Sequence, residues 1–449
     1  MPAFFIQNFG CRATQADAAA IRRSFLTRGY SLAESEGVAN LVVLNTCTVT
    51  AAADAQAREA IRRIHRANPG ARVVVTGCYA QRAPEEVAAI EGVAWVIGNS
   101  HQAEIAPLVD RGAFISITAV GQQIAPTAQI VREEMSTATE VLTAPPEDSS
   151  GERTRPTLKI QDGCNHRCSY CVIPSVRGRS RSLPPDRVLS EIHQLVESGA
   201  QEVVLSGIDL GSYGRELALR ANLQDLIQRI LHETVLERLR FSSIEPMDVT
   251  QDFVELVAST DRIAPHFHMP LQSGSDRILR AMHRWYRAAH YARRVEIIHG
   301  RLPHAAIGAD VIAGFPGETE EDHRATMQFI EGLPLSYLHV FSFSPRAGTQ
   351  AASLDERIDD AVIHRRAREL RAVATEKVKV FRASQNNKTL RVLTLDRRGE
   401  DWTAAISGNF LKMRVRGAWP RNCWIDLVFN QADDPLIPLS GGVSLSRIT

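Results

Sequence analysis

Residues 157–171 read TLKIQDGCNHRCSYC, in which a short apolar run is followed at once by three closely spaced cysteines. The run TLKIQ (157–161) predicts a buried β-strand. Cys164, Cys168 and Cys171 come directly after it, with the spacing CxxxCxxC. A loop that follows a strand of a parallel barrel lies at the carboxyl rim, where such barrels place their chemistry. The stretch therefore predicts a barrel whose first loop carries a functional site.

The region from residue 157 to residue 382 alternates between strand-like and helix-like segments. After the first strand, apolar runs lie at 202–207, 239–244, 266–270, 307–315 and 337–344. Helical patterns lie at 184–199, 222–233, 250–259, 288–300 and 319–332, and a long helix is predicted at 355–382. Six strand–helix repeats in one run predict an α/β protein whose central domain is a (βα)6 partial TIM-like barrel.

The regions on either side of the barrel have different patterns. Residues 1–117 contain apolar runs separated by amphipathic helices, which predicts a small parallel α/β sheet domain. Residues 118–152 are rich in Pro, Ser, Thr and Glu and are predicted to be a linker or a long excursion that could contain one strand. After the barrel domain at 153–381, residues 382–449 carry short alternating runs between turn signals. This last pattern predicts a small antiparallel β-barrel.

The composition excludes several classes of protein. The chain has 449 residues, of which 44% are apolar and 23% are charged, so it is not a disordered protein. It contains neither a long apolar stretch nor the pattern of a secretory signal, and we expect a cytoplasmic protein without a membrane contact. The net charge is +1, so any RNA-binding surface must be a local patch. Seven cysteines in a reducing compartment indicate a metal or redox role.

The CxxxCxxC loop has three interpretations. Three thiolates can hold three irons of a [4Fe-4S] cluster and leave the fourth iron open to a ligand. A zinc site is the second interpretation, with His166 as the fourth ligand, although zinc sites are usually built from CxxC pairs. Three unrelated buried thiols are the third. The spacing favours the cluster.

A second set of cysteines is spread over the N-terminal domain. Cys11, Cys47 and Cys78 each follow a predicted strand at its carboxyl end. Because the carboxyl ends of parallel strands meet at one edge of a sheet, three thiols could converge there without being close in sequence. The alternative is that they are ordinary buried cysteines. Cys423, in the run CWIDLVF, is predicted to be a core or half-buried residue.

The other loops of the barrel carry small and polar residues. The run LSGIDLGSYG (205–214) has three glycines, which let a ligand approach the backbone closely. Further residues that would line the barrel mouth, although each taken alone is more often structural than ligating, are Ser243, Glu245, Gln272, Ser273 and Asp310.

Basic residues are concentrated near the C-terminus. Residues 382–421 contain nine Lys or Arg and three Asp or Glu, and Trp402, Trp419 and Trp424 lie in or near the same region. Basic and aromatic residues on a small β-barrel favour phosphate contacts and RNA binding. The alternative is a solvated basic surface over an aromatic core.

Taken together, these motifs resemble those of a known enzyme family. QDGCNHRCSYCVIPSVRGRSRS resembles the signature of radical S-adenosylmethionine enzymes, and more closely that of the methylthiotransferases. NTCTVT and VTGCYAQ, with Cys47 and Cys78, resemble the N-terminal domain of that family. LSGIDLGSYG, RFSSIEP, HMPLQSGSD and DVIAGFPGETEED resemble its catalytic core, and the C-terminal module is similar to the RNA-binding TRAM domain. GIDLGSYG and SSIEP are most similar to the branch that modifies threonylcarbamoyladenosine beside the tRNA anticodon.

This resemblance implies two [4Fe-4S] clusters and S-adenosylmethionine as cofactors. One cluster would be held by the catalytic cysteines Cys164, Cys168 and Cys171, would bind S-adenosylmethionine and would generate a 5′-deoxyadenosyl radical. The other, on Cys11, Cys47 and Cys78, would present the sulfur. The expected cofactor-binding residues are Gly207, Asp209, Ser243 and Gln272.

The implied reaction places a methylthio group at C2 of N6-threonylcarbamoyladenosine. The implied partners are the anticodon arm of tRNA and an electron donor of the flavodoxin or ferredoxin type, and we expect a monomer. Arg177, Arg179 and Arg284 are candidates for binding the carboxylate of the substrate. The sequence leaves open a methylthiotransferase for isopentenyladenosine or for a ribosomal-protein aspartate, and a non-catalytic iron–sulfur RNA-binding sensor.

Overall fold

The computed structural model describes residues 2–115, 128–135, 140–143, 154–433, 436 and 438–444. Its N-terminal part is a sheet of β1 (Ala3–Asn8), β2 (Ser31–Leu32), β3 (Leu41–Thr46), β4 (Arg72–Gly77), β5 (Val93–Ile97) and β6 (Gln129–Val131). The helices are α1 (Arg12–Leu26), α2 (Ala51–Ala67), α3 (Cys78–Arg82), α4 (Pro84–Ala88) and α5 (Ile105–Ile115). The strands lie in the order β2-β1-β3-β4-β5-β6, and all of the pairs are parallel.

Helices cover both faces of this sheet. Every residue of β3 is buried, which is typical of a parallel strand that is covered on two sides. Successive residues of β3 therefore enter different apolar layers: Val42 packs with Ile61 of α2, and Val43 packs with Ile21 of α1. Thr50 caps the amino terminus of helix α2, and its side chain accepts a hydrogen bond from the backbone nitrogen of Ala53.

The central part begins with β7 (Thr157–Lys159) and a short antiparallel pair, β8 (Gln161–Asp162) and β9 (Arg181–Ser182). It continues with β10 (Glu202–Ser206), β11 (Arg238–Phe241), β12 (His266–His268), β13 (Ala306–Ala313) and β14 (Tyr337–Ser342). Its helices are α6 (Ile173–Arg177), α7 (Pro185–Glu197), α8 (Leu223–Glu233), α9 (Gln251–Ala258), α10 (Asp276–Ala281), α11 (Ala288–Arg301), α12 (Glu320–Gly332) and α13 (Asp360–Ser384).

Six of these strands form one curved parallel layer. The strands β7, β10 and β11 pair with one another, as do β12, β13 and β14. Parallel bridges between Leu239 and Ile263 and between Ser243 and His268 join the two groups. The layer is the partial barrel that the sequence predicts, and its open side lies between β7 and β14.

Helix α1 of the N-terminal part closes this open side. It packs against β7. Arg12, at its first turn, lies near Tyr337 of β14, and Asp17 contacts Lys159 of β7. A second contact between the two parts is the ion pair of Arg346 with Asp54 of α2, at 2.6 Å. The N-terminal sheet is therefore fixed against the barrel through buried charges.

The C-terminal part is an antiparallel sheet of β15 (Thr389–Arg398), β16 (Trp402–Ser407), β17 (Lys412–Arg416), β18 (Trp424–Val428) and β19 (Pro438–Ser444). Its order is β17-β16-β15-β18-β19. Leu436, just before β19, bridges to Val415 of β17, so the edges of the sheet curl toward each other as a half-barrel.

The turn between β16 and β17 enters the amino-terminal end of the barrel. Phe410 stacks on His266 with 4.3 Å between the ring centroids. Arg240 donates hydrogen bonds to the backbone oxygens of Ser407 and Gly408 at 3.0 and 2.9 Å. The C-terminal sheet therefore plugs the end of the barrel opposite the cysteine loop.

This architecture confirms the predicted fold class, with its parallel N-terminal sheet, central barrel and small antiparallel C-terminal sheet. Part of the segment 118–152 that was expected to be a linker contributes β6 to the N-terminal sheet. Within that segment, residues 118–127, 136–139 and 144–152 lie outside the described part of the chain.

Candidate functional site

The cysteine loop of the barrel lies between β8 and α6. Gly163 has φ +71°, and a Cβ atom there would lie 2.0 Å from the backbone oxygen of Arg179, so the close approach of the loop requires glycine. Gln161 anchors the loop. Its Nε2 donates to the oxygen of Gly163 at 2.8 Å, and its Oε1 accepts from the backbone nitrogen of Asp209 at 2.8 Å. The loops after β8 and β10 are thereby held together.

A buried arginine lies beside the second cysteine of this loop. Arg284 Nη1 lies 3.2 Å from Sγ of Cys168, and its Nη2 donates to a carboxylate oxygen of Glu245. The guanidinium also stacks on Trp285 and Tyr286, 4.6 and 4.9 Å from the ring centroids. Burial raises the pKa of Cys168, and the charge of Arg284 opposes that rise. Arg284 therefore stabilises a thiolate at this position.

Asp209 and His166 lie beside the first cysteine. His166 Nε2 is 3.1 Å from Oδ2 of Asp209, and its ring stacks on Trp285 with 3.8 Å between the centroids. Oδ2 of Asp209 is 3.9 Å from Sγ of Cys164. The other carboxylate oxygen, Oδ1, is buried and has no hydrogen-bond partner among the described residues. A buried oxygen without a partner is costly, which indicates a place built to contact a ligand.

The N-terminal cysteines come together at one edge of their sheet. Cys11, Cys47 and Cys78 follow β1, β3 and β4, which are neighbours in the sheet. Gly10 has φ +109°, and a Cβ atom there would lie 2.7 Å from Cβ of Cys47, so glycine permits this contact. Burial raises the pKa of Cys47 to about 12, and Cys78 and Cys11 add to the rise. The convergence predicted from the strand ends is therefore present, and the role of the thiols as ligands stays a prediction.

A second buried arginine, Arg177, lies near this triad. Arg177 Nη2 is 2.8 Å from Oδ2 of Asp17, and Nη1 is 3.1 Å from Oδ1 of Asp162. Lys159 contacts the same two carboxylates. Burial raises the pKa of Cys78, while the charge of Arg177 opposes that rise. Arg177 thus joins the N-terminal triad to the barrel.

Both triads fit an iron–sulfur cluster. In each triad, neighbouring thiols add to the rise in pKa that burial causes: Cys78 and Cys11 act on Cys47, and Cys171 and Cys168 act on Cys164. Each also has a buried guanidinium that offsets negative charge. The triads are neighbours, because Cys78 packs against Val172, the residue after Cys171. Asn99 donates to the backbone oxygen of Val176 at 2.7 Å and lies 3.6 Å from Sγ of Cys78.

The barrel interior beyond the triads carries a row of polar side chains. Ser243 Oγ is 2.7 Å from Nδ1 of His268, and Nε2 of His268 is 3.2 Å from Oδ1 of Asp310. His339 Nδ1 is 3.1 Å from the same oxygen. Burial would raise the pKa of Asp310, but hydrogen bonds from His268 and His339 outweigh it and hold this pKa well below its usual range. The side chain of His339 is 56% exposed, so the row is open to solvent.

A group of arginines lies deeper in the barrel. Glu202 accepts hydrogen bonds from Arg155, Arg238 and Arg240 at 3.3, 2.5 and 2.7 Å. Arg12 of α1 faces the same group. Burial, Arg155 and Arg240 lower the pKa of Arg12 to about 10, so its guanidinium stays charged at neutral pH. This group therefore carries more positive than negative charge.

The remaining residues that the sequence singled out differ in their surroundings. Gly207 lies against Gln161, where a Cβ atom would be 2.9 Å from Oε1 of that residue. Gln272 has a left-handed backbone, with φ +66°, and its backbone nitrogen donates to the oxygen of Asp310 at 2.8 Å. Ser273 is fully buried and bonds to Thr326, so it does not line the barrel mouth.

The carboxylate-binding candidates and Cys423 have clear positions. Arg177 and Arg284 are buried and already paired with carboxylates. Arg179 is exposed. Cys423 is half-buried, as expected.

Sequence reasoning missed Arg12, His268 and His339 as parts of the site. A signal existed for Arg12, which directly follows Cys11. The run HFHMP at 266–270 carried a weaker signal for His268, since alternate residues of a strand face the same side.

The C-terminal sheet presents a basic strand. In β17, Lys412, Arg414 and Arg416 are exposed and alternate with the buried Met413 and Val415. The guanidinium of Arg414 lies 5.4 Å from the ring centroid of Trp402. The three cations thus form a stripe on the outer face of the sheet.

Across the described residues, none of the helices combines the length and the apolar character that crossing a membrane requires.

Comparisons with known proteins identify the family of the chain. Residues 3–98 match the Uncharacterized protein family UPF0004, and residues 158–330 match the Radical SAM superfamily. The threonylcarbamoyladenosine tRNA methylthiotransferase MtaB of Aquifex aeolicus is 36% identical, over 87% of this chain and 92% of that protein. MtaB of Bacillus subtilis is 35% identical, over 91% and 89%. A tRNA-2-methylthio-N(6)-dimethylallyladenosine synthase of Paenarthrobacter aurescens is 32% identical, over 88% and 75%.

Solved structures share the fold at low sequence identity. The radical S-adenosylmethionine methyltransferase TsrM of Kitasatospora setae superposes with a TM-score of 0.53 at 16% identity, over 76% of this chain and 73% of that one. The cobalamin-dependent S-adenosylmethionine radical enzyme OxsB gives 0.53 at 11% identity, over 85% and 56%. From the identity and coverage of its relatives, the chain belongs to the MtaB methylthiotransferase family of the radical SAM superfamily.

Proposed function

We propose that this chain transfers a methylthio group to C2 of N6-threonylcarbamoyladenosine in tRNA. The observation that carries the proposal is that two cysteine triads lie next to each other at one barrel. Cys78 of one triad packs against Val172, the residue that follows Cys171 of the other. Relatives that are named for this reaction match nearly the whole chain. A sensor that only binds RNA would not require two triads facing one open barrel.

In this proposal, the two triads have separate roles. Cys164, Cys168 and Cys171 hold the cluster that binds S-adenosylmethionine, and the N-terminal triad of Cys11, Cys47 and Cys78 holds the second cluster. When bound, these groups supply radical chemistry and the sulfur that is transferred. The protein itself positions them, tunes their charge and excludes water.

The four residues expected to contact the cofactor are not equally well supported. Asp209 has a buried oxygen without a partner among the described residues, so it is suited to accept a hydrogen bond from the cofactor. Gly207 packs tightly against Gln161, whose side chain occupies the space that a Cβ atom would need. Ser243 and Gln272 lie at the ends of strands on the other side of the barrel mouth. Arg284, which is held by Glu245, orients Cys168.

The remaining parts of the proposal concern partners. The basic strand β17 suits the phosphates of the anticodon arm of tRNA. A flavodoxin or ferredoxin would donate the electron, and the chain would act as a monomer in the cytoplasm.

The test uses the protein reconstituted anaerobically with iron and sulfide. Anticodon stem-loop RNAs that carry either threonylcarbamoyladenosine or isopentenyladenosine are incubated with S-adenosylmethionine and a reductant, and their nucleosides are analysed by mass spectrometry. We expect the 2-methylthio product from the first RNA. Product from isopentenyladenosine alone would reject the substrate and leave the reaction class standing. A C164A variant is the matched control and should give no product.

A further inference from the structure

Among the described residues, one cation of the barrel interior, Arg12, forms no ion pair of its own. Arg155, Arg238 and Arg240 all bind Glu202, and both oxygens of that carboxylate are used. Arg238 and Arg240 also donate hydrogen bonds to backbone oxygens of residues 406–408, at the end of β16. Arg12 differs from these three. Within the described part of the chain, its side chain makes no hydrogen bond and no salt bridge.

Arg12 lies where the N-terminal part meets the wall of the barrel. It directly follows Cys11 and opens helix α1, the helix that closes the side of the barrel. Its charge acts on Tyr337 and His266, whose side chains are joined by a hydrogen bond of 2.8 Å inside the barrel. Arg12 is only half-buried, so a ligand can still reach it. The guanidinium therefore lies between the N-terminal triad and the polar wall of the barrel.

A partly buried cation without a partner is unfavourable unless a ligand supplies the negative charge. The threonylcarbamoyl group ends in a carboxylate, and a guanidinium can bind a carboxylate through two parallel hydrogen bonds. We propose that Arg12 binds the carboxylate of the threonylcarbamoyl group and thereby selects the modified adenosine. This inference rests on the proposed function.

The other arginines considered for this role are less suitable. Arg177 is 2% exposed and is tied to Asp17 and Asp162, so releasing it would open the contact between the domains. Arg284 is tied to Glu245 and Cys168. An isopentenyl group, by contrast, would leave the cation of Arg12 without a partner, which disfavours that substrate.

The test separates the charge of the substrate from its shape. Stem-loop RNAs carry threonylcarbamoyladenosine, its methyl ester or isopentenyladenosine, and their affinities are measured by fluorescence anisotropy on the reconstituted protein. We expect the wild type to bind the acid about tenfold or more tightly than the ester. R12Q should remove that preference, and R12K should keep part of it, because lysine retains the charge but not the planar fork. R23Q, an exposed position on the same helix, should behave as the wild type.

Each outcome has one meaning. An R12Q protein that still prefers the acid, with its iron content intact, overturns the role of Arg12. A wild type that binds acid and ester equally overturns it without any variant, which covers the case in which R12Q fails to fold. If the wild type methylthiolates isopentenyladenosine and not threonylcarbamoyladenosine, the proposed function has failed, and with it the selection by Arg12 of the modified adenosine.

Discussion

The two cysteine triads have similar surroundings, but their cysteines are spaced very differently along the sequence. Cys164, Cys168 and Cys171 lie on one short loop, whereas Cys11, Cys47 and Cys78 come from three strand ends of one sheet. A local loop needs little more than its own anchors, such as Gln161. The dispersed triad exists only when the sheet is folded, because its three segments must be brought together against chain entropy. The N-terminal triad should therefore be the more sensitive to the stability of its domain.

The arginine partners differ in the same way. Arg284 bonds to Cys168 and Glu245 inside the barrel. Arg177 comes from the barrel but bonds to Asp17 of the N-terminal helix α1. The barrel triad is thus held within its own domain, while the N-terminal triad depends on how the two domains meet.

The largest expected effect separates the triads by their chemistry. Replacing Cys164, Cys168 and Cys171 by Ala should abolish cleavage of S-adenosylmethionine and leave about four irons per chain. Replacing Cys11, Cys47 and Cys78 by Ala should also leave about four irons, with cleavage retained and methylthio transfer lost. Iron analysis and chromatography of 5′-deoxyadenosine measure both. Full iron content in the second variant would show that the N-terminal ligand set is wrong.

The next effect separates the two arginines. Removing one partner of a buried ion pair costs about 3–5 kcal/mol. R177Q should therefore destabilise the protein and release iron from the N-terminal triad, because Asp17 and Asp162 lose a shared cation. R284Q should instead reduce cleavage of S-adenosylmethionine. Urea unfolding, iron content and cleavage rates distinguish these outcomes.

An exposed pair provides the control for that experiment. Arg301 pairs with Glu255 at 2.9 Å, and both side chains are about half exposed. R301Q should change the free energy of unfolding by about 1 kcal/mol or less. If R177Q and R284Q affected both triads equally, the division between a local and a domain-dependent triad would be wrong.

The sequence was sufficient to predict much of this arrangement. Apolar runs and helical periodicity placed the six barrel strands, since buried parallel strands are nearly continuous apolar segments. The position of each N-terminal cysteine after a strand was enough to predict that the thiols converge. The short edge strand β2 lacked such a signal, because it contains only Ser31 and Leu32 and both are exposed.

The partners of the buried arginines were beyond the reach of sequence reasoning. Asp17 and Arg177 meet only because α1 closes the barrel, and nothing in either local sequence indicates that contact. The same docking brings Arg12 into the barrel. Basic residues near the cysteine loop were therefore taken as candidates for the substrate carboxylate, although two of them serve the protein's own ion pairs.

A third group of arginines surrounds Glu202, at the end of the barrel away from the cysteine triads. Burial would raise the pKa of Glu202, but Arg240, Arg238 and Arg155 outweigh it and hold this pKa well below its usual range. The stabilisation is fully present above the unfolded pKa of about 4.3 and is lost as the pH falls through the folded value. We expect the wild type to lose on the order of 2–3 kcal/mol from this group in acid.

Urea unfolding as a function of pH measures that loss. E202Q should be less stable than the wild type at neutral pH, and the difference should shrink as the pH falls below about 4. A difference that stays constant with pH would mean that Glu202 is not the titrating group.

The smallest expected effect concerns RNA binding. It tests whether the C-terminal sheet, at the end of the barrel opposite the triads, binds the tRNA. Each phosphate contact that is lost should reduce the slope of log affinity against log salt by about 0.7–0.9. A variant with K412Q, R414Q and R416Q should therefore bind tRNA more weakly, with a slope lower by about 2–3. Filter binding across a salt series measures both quantities.

The matched control removes three exposed cations that already pair with carboxylates. Arg66, Arg293 and Arg301 lie 3.1, 3.5 and 2.9 Å from glutamate oxygens, so their replacement by Gln should change the slope much less. Because Phe410 fixes the C-terminal sheet at the amino-terminal end of the barrel, an RNA held by β17 must extend along the molecule to reach the triads. An unchanged slope in the β17 variant would instead place the phosphates near the cysteine loop, where Arg179 is exposed. In that case the RNA would contact the same end of the barrel as both triads.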